Sequence, residues 1–294
     1  MGLIDRAFAA LQYVLPKHLL SRGMHALMRT HAGWLKNLLI RGFLLFYSVD
    51  REEMLEPDPF RYPTFNAFFT RALKPGARPV AREGSTLVSP VDGTMSQHGT
   101  IAADRIIQAK GRDYSASELL GAAPGDTNPY RDGEFACIYL APHNYHRIHL
   151  PAAGRLLRTL YVPGDLFSVN ASTARAVPRL FARNERVVCE FETEAGRLAV
   201  VLVGALFVGS IETVWAGEVN PPPRRRLAGI ELPTGAGLEF LRGQEIGRFN
   251  MGSTVVLLAE RGRLRWRATL QPGSTVRYGE PIATILTADV DAGR

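Results

Sequence analysis

The chain has 294 residues, 46% hydrophobic and 21% charged, which supplies apolar material for one large core or two smaller ones and argues against wholesale disorder. Its formal charge of +7 and pI of about 9.7 admit nucleic acid, an anionic membrane or an acidic small substrate as partner. Nucleic acid is the weakest of the three, because the basic residues are scattered apart from Arg224-Arg225-Arg226 and no aromatic–basic interleaving occurs.

Residues 1 to about 50 read as helical, with expected helices over 4–14, 19–30 and 34–48, broken at Pro16 and at His31-Ala32-Gly33. Asp5 and Arg6 stand where the apolar part of a signal peptide would begin, and no run of 18 uncharged apolar residues occurs, so neither a leader nor a spanning helix is expected. The third helix carries Trp34, Leu38, Leu39, Phe43, Leu44, Phe46 and Tyr47. Over residues 1–49 the basic residues Arg6, Lys17, Arg22, Arg29, Lys36 and Arg41 face the single acid Asp5, a net of +5. That mixture suits a helix lying in the headgroup plane of an anionic leaflet; it also suits a helical layer packed on a core.

From Thr64 onward the texture is β. Short runs rich in Val, Ile and aromatics recur between Gly and Pro punctuation, predicting strands over 135–140, 155–162, 186–191, 197–208, 254–258, 266–270 and 281–285. One helix interrupts them at 115–120, where Ser115 and Glu118 have capping-box spacing. Helices and strands do not alternate, which argues against a doubly wound parallel sheet. The expected fold class is α+β: a mainly antiparallel β core over 61–294 behind an N-terminal helical, membrane-associating region over 1–60.

Four lysines are present, at 17, 36, 74 and 110, so chemistry that needs a lysine Schiff base has few candidates and an amine-directed enzyme would need another electrophile. Cys137 and Cys189 lack metal-site spacing and read as reduced thiols. Of seven histidines, His143, His146 and His149 crowd into one ten-residue stretch. On a strand His146 faces opposite to the other two, and no carboxylate or cysteine sits nearby in the chain, so no metal site is expected. Asp92, between Pro90 and Gly93, has the context of a turn former, and Gly252-Ser253-Thr254 that of a loop entering a strand. Asp92, His146 or His149, and Ser253 together contain the parts of a Ser-His-Asp relay, which only geometry can establish.

Six segments carry a resemblance: Pro90-Val91-Asp92-Gly93, Tyr145-His146-Arg147-Ile148-His149, residues 162–170, residues 180–186, Glu212-Thr213-Val214-Trp215-Ala216-Gly217 and residues 243–249. In this order, across roughly residues 60–285, the chain resembles the bacterial phosphatidylserine decarboxylases. The family's Leu-Gly-Ser-Thr cleavage motif stands here as Met251-Gly252-Ser253-Thr254, a swap of two apolar side chains of similar volume.

The resemblance implies that Ser253 attacks the carbonyl of Gly252, and that the chain is cut into 1–252 and 253–294. A pyruvoyl group is then left at the new N-terminus as the cofactor. It implies His149, oriented by Asp92, as the base for processing and His146 as the assistant in decarboxylation. The serine headgroup of phosphatidylserine condenses with the pyruvoyl ketone, and phosphatidylethanolamine is the product. A homodimer at the cytoplasmic face of the cell membrane is implied as well. The 162–170 segment, with Phe167 and Val169, reads either as a mobile loop that receives acyl chains or as a plain buried loop.

Two other readings compete. A serine hydrolase would use an unprocessed Ser253 with His149 and Asp92, but the Gly-x-Ser-x-Gly elbow is missing. Residues 271–282 echo the β-turn of lipoyl- and biotinyl-carrier modules, yet carry no lysine to modify.

Overall fold

The computed structural model describes residues 10–286, apart from 110, 124–125, 127, 208–209, 220–226 and 231–237. Arg224-Arg225-Arg226, Lys110 and the start of the expected 4–14 helix therefore lie outside the described residues.

Val and Leu recur in strands Arg186–Thr193, Gly196–Val203 and Ser253–Ala259, which form the middle of a nine-stranded antiparallel sheet. Its order runs from Ala228–Ile230 through Gly154–Val162, Arg186–Thr193, Gly196–Val203, Ser253–Ala259, Glu134–Leu140 and Gly93–Thr100 to Thr275–Val276, with Glu239–Phe240 also on Gly154–Val162. Both faces are covered, so Gly196–Val203 and Ser253–Ala259 carry long apolar runs rather than alternating with polar residues. Leu198, Val200, Leu202, Val255 and Leu257 enter one core layer, and Ala199, Val201, Val203, Val256 and Leu258 the other. The first layer is closed by two smaller sheets. One contains Arg147–His149, Glu245–Phe249, Ile211–Thr213 and Gly217–Val219; the other contains Thr86–Val88, Pro281–Ile285 and Leu264–Trp266.

The N-terminal region folds as expected in kind, with helices Lys17–Met28 and Gly33–Phe46. Met28, Ile40 and Met54 pack with Phe65, Phe68 and Phe69 in a third cluster, against which Phe60, Tyr62 and Met251 also lie. The expected boundary at residue 60 falls inside this cluster. Two of the six basic residues counted above are buried rather than free for a membrane. Lys17 donates to Gln12 O at 2.9 Å and sits over the Phe167 ring; Lys36 donates to the carbonyls of Phe60 and Tyr62.

Several expected elements shift. The expected 197–208 strand ends at Val203, where Gly204 donates to Glu185 O instead. The strand expected at 266–270 lies at Leu264–Trp266, because Leu270 N turns back to Arg267 O. Thr64 caps a short helix, Phe65–Phe69, in place of the expected onset of β structure; its Oγ1 accepts from Ala67 N at 3.0 Å. Ser115 caps Ala116–Leu120 as the capping-box spacing implies, accepting from Glu118 N.

Candidate active site

The peptide between Gly252 and Ser253 lies where the chain crosses from the small four-stranded sheet into the large one. Strand Glu245–Phe249 ends at Phe249 and strand Ser253–Ala259 begins at Ser253, which pairs with Leu140. Asn250 is pinned in between: its Nδ2 donates to Ser210 Oγ at 2.7 Å and its Oδ1 accepts from Asn66 Nδ2 at 3.0 Å. With both ends fixed, Met251 takes up the turn at φ 141, a region that side-chain-bearing residues rarely adopt. Local backbone strain therefore sits next to the scissile peptide.

Ser253 is fully buried, and its Oγ has no hydrogen-bond partner. His146 faces the same peptide. A Cβ placed on Gly252 would stand 3.9 Å from His146 Nε2 and 3.6 Å from Leu140 O. Those are ordinary contacts, so the backbone tolerates a side chain here.

His146 Nδ1 lies 2.9 Å from Asn144 O, and its ring packs on Phe69 with centroids 4.1 Å apart. A carbonyl can only accept, so Nδ1 carries the proton and Nε2 presents its lone pair. Nε2 is buried and unpartnered. Burial pushes the His146 pKa down to about 3 against the Asn144 hydrogen bond, and the charge of Arg71 adds to the lowering. The ring is neutral at pH 7.

Beside this peptide lies a cavity of about 310 Å³. Its walls include Phe43 and Tyr47 of the N-terminal layer, Tyr139, Val169, Met251 and Gly252. A larger cleft of about 830 Å³, bordered by Asn128, Arg158 and Glu190, is lined by none of these residues.

Asp92 and His149 occupy a separate, polar neighbourhood. The Asp92 carboxylate accepts from Arg78 Nη2 at 2.7 Å and from Tyr278 N at 2.8 Å, and Arg78 also binds Glu53. His149 has both nitrogens engaged, Nδ1 donating to Gly243 O at 2.8 Å and Nε2 accepting from Tyr145 Oη at 3.1 Å. The expected direct orientation of His149 by Asp92 is thus not formed, because Arg78 and Tyr278 saturate the carboxylate. Tyr278 makes the link instead. Its backbone binds Asp92, its ring stacks on His149 with centroids 3.7 Å apart, and its hydroxyl donates to the Gly243 carbonyl that His149 also uses. Burial lowers the His149 pKa to about 4, so this ring too is neutral.

Of the two residues expected to receive acyl chains, Val169 lines the cavity and Phe167 does not. Phe167 is wholly buried; its backbone N–H and C=O both bond the Asn184 side chain, and Lys17 and Arg183 cover its ring. The 162–170 segment is tied down along its length, with Asp165 N on Arg183 O, in contrast to the mobile-loop reading.

Sequence reasoning missed Arg71, Arg78 and Tyr278. An arginine inside the aromatic run 65–69 and its continuation was a readable signal for Arg71; Tyr278 lies in the segment that echoes carrier modules.

The sequence profile of the family described as phosphatidylserine decarboxylase matches residues 65–284, and one described as PSD matches residues 7–48. The phosphatidylserine decarboxylase proenzyme of Methylococcus capsulatus is 50% identical over 93% of this chain and 95% of its own length. Those of Idiomarina loihiensis (48% identical, over 98% of this chain and 100% of its own) and Pseudomonas entomophila (50%, over 95% and 98%) are similar to the same extent. With a profile match across the whole β core and half-identical relatives spanning nearly every residue, the chain belongs to the phosphatidylserine decarboxylase family.

Proposed function

We propose that this protein is a self-processing phosphatidylserine decarboxylase whose Ser253 becomes a pyruvoyl group. The observation that carries this reading is a buried serine hydroxyl without a partner, following a glycine that faces the free Nε2 of a neutral histidine beside an apolar cavity. Neither competing reading accounts for it. Ser253 opens a central strand rather than a strand-to-helix elbow, and residues 271–282 end up beside the Asp92–His149 cluster through Tyr278.

Processing begins when Ser253 Oγ attacks the Gly252 carbonyl carbon, giving its proton to a base while the peptide nitrogen leaves as an amine. The resulting ester is eliminated across Cα–Cβ of residue 253, leaving a carboxylate on Gly252; water then releases ammonia. Met251 strain favours the first step, since breaking the peptide frees the turn. Following the family resemblance, His149, coupled to Asp92 through Tyr278, is assigned as the base for cleavage; to act it must release its Tyr145 hydrogen bond and come within reach of Ser253 Oγ. A second reading gives cleavage to His146 as well, favoured by its free nitrogen beside Gly252. The two are separated by testing which histidine variant accumulates uncut chain.

The pyruvoyl group fits this position. Ser253 is anchored in the sheet by its pairing with Leu140, and Ser253 Oγ and His146 Nε2, both without a hydrogen-bond partner, support its formation there. Once formed, it supplies a ketone that takes up the substrate amine and then the electrons released with CO2. His146 Nε2 takes a proton from the substrate ammonium as the headgroup docks and returns it to the headgroup α-carbon after CO2 leaves, and the apolar walls exclude water while accepting the first part of an acyl chain. Cleavage leaves the two chains together: strand Ser253–Ala259 remains hydrogen-bonded on both sides, to Glu134–Leu140 and Gly196–Val203.

The protein docks peripherally at the cytoplasmic face of the cell membrane through its N-terminal helices, as a homodimer. Exposed Leu19, Trp34, Leu38, Leu45 and Phe46 support docking, and Phe43 and Tyr47 join the same region to the cavity. Among the described residues no helix is long and apolar enough to cross a membrane. Purified protein incubated with phosphatidylserine in mixed micelles should release CO2 and form phosphatidylethanolamine; absence of both from a fully cleaved preparation overturns the reading.

A further inference from the structure

Arg71 poses a problem that the reaction described so far does not solve. Its side chain is 4% exposed and has no ion-pair partner among the described residues. A buried guanidinium without a carboxylate is costly, and burial accordingly pulls its pKa down from the usual arginine value. The three acceptors it does have are all backbone carbonyls: Phe69 O, His143 O at 2.9 Å and Asn144 O at 3.3 Å.

Those acceptors surround His146. The Asn144 carbonyl that receives an Arg71 N–H is the one that receives His146 Nδ1–H. Phe69, whose own carbonyl Arg71 binds, supplies the ring stacked on His146. Neighbouring Thr70 O accepts from Arg147 Nε, so the 69–71 backbone and the 143–147 segment are joined at several points. Without Arg71, the 143–144 carbonyls are free to turn. A histidine whose Nδ1 loses its acceptor is also free to carry its proton on Nε2 instead.

We infer that Arg71 is a positioning residue for His146, holding the Asn144 carbonyl where it fixes the Nδ1–H tautomer and leaves Nε2 free toward residue 252. The lack of a direct ion pair is then explained: a cation directed at carbonyls fixes the loop without placing a competing acceptor beside the histidine. A carboxylate in the same place would pull on Nδ1–H and raise the basicity of the ring. The inference rests on the reading that His146 serves turnover, and it concerns how that ring is held rather than whether it acts.

The test uses ¹⁵N-histidine-labelled full-length protein, in which the His146 tautomer is read by long-range ¹H–¹⁵N spectra, alongside kcat and KM for phosphatidylserine. In Arg71→Met an Nε2–H population of His146 should appear, with kcat falling about 10²-fold and KM little changed. Arg71→Lys, which keeps the charge and an ammonium donor group but not the planar fork, should restore most of the Nδ1–H form and most of kcat. Loss of kcat with the tautomer intact, or kcat retained in Arg71→Met, overturns the inference. Where Arg71→Met does not accumulate, Arg71→Lys decides, because its kcat must follow its Nδ1–H fraction. His146→Ala separates the parent reading: wild-type turnover there removes the role of His146, whereas the tautomer spectra still report what Arg71 does.

Discussion

His146 and His149 lie three residues apart, His146 just before strand Arg147–His149 and His149 at its end, yet their surroundings have little in common. His146 is packed on Phe69, beside an apolar cavity and the scissile peptide, with one nitrogen bound and one free. His149 is stacked on Tyr278 near the Arg78–Asp92–Glu53 cluster, with both nitrogens bound. Both rings are neutral through burial, so charge does not distinguish them. Availability does. A free lone pair next to the reacting residue suits repeated proton transfer, whereas a fully bound ring must first give up a partner and suits an event that happens once.

Removing Ser253 should have the largest effect and abolish the distinction altogether. Ser253→Ala should stay one chain on a denaturing gel and release no CO2; full activity from that uncut variant contradicts the proposed chemistry. Next come the histidines themselves. His149→Ala and Asp92→Ala should accumulate precursor, whereas His146→Ala should cleave and then decarboxylate about 10²–10⁴-fold more slowly. If His146→Ala also stalls as precursor while His149→Ala is cut, cleavage belongs to His146.

Acid stability tests the burial common to both rings. Their folded pKa values, about 3 and about 4, lie below the ordinary 6.5, so the unfolded chain binds more protons between those limits. Their contribution is complete above about pH 6.5 and is lost as pH falls toward 4 and then 3. A denaturation series from pH 7 to 4 should show stability declining, by at most about 1.4 kcal/mol per pH unit for each histidine. In His146→Gln that decline should be shallower, and an unchanged slope would place the acid sensitivity elsewhere. The smallest effect concerns the membrane. Deleting residues 1–50 would also remove Ile40 from its cluster and Phe43 and Tyr47 from the cavity, so surface changes are the cleaner probe. Leu45→Ser with Phe46→Ser should weaken sedimentation with phosphatidylglycerol vesicles several-fold while cleavage proceeds; equal sedimentation argues against docking by this helix.

The β core was legible because central strands such as Gly196–Val203 and Ser253–Ala259 are covered on both faces and so read as long apolar runs. Pro281–Ile285 falls where expected, and Glu134–Leu140 within one residue. Short capped helices such as Phe65–Phe69 were not, since five aromatic-rich residues fit a strand as well as a helix turn. At the site, Ser253, Gly252 and His146 could be placed by motif. The indirect link between Asp92 and His149 could not, because Tyr278 and Arg78 come from distant segments and meet them only in the folded chain. Phe167 was misread for the same reason: an apolar residue among Gly and Asn looks available until Lys17 and Arg183 are seen lying over it.

Intact-mass spectrometry of the purified wild-type protein tests the central claim most directly. The proposed chemistry predicts two species, residues 1–252 ending in a carboxylate and residues 253–294 lighter by one ammonia than a chain beginning with serine. A single uncut mass from a preparation that decarboxylates phosphatidylserine at full rate, or a small chain that retains its serine amine, would contradict it.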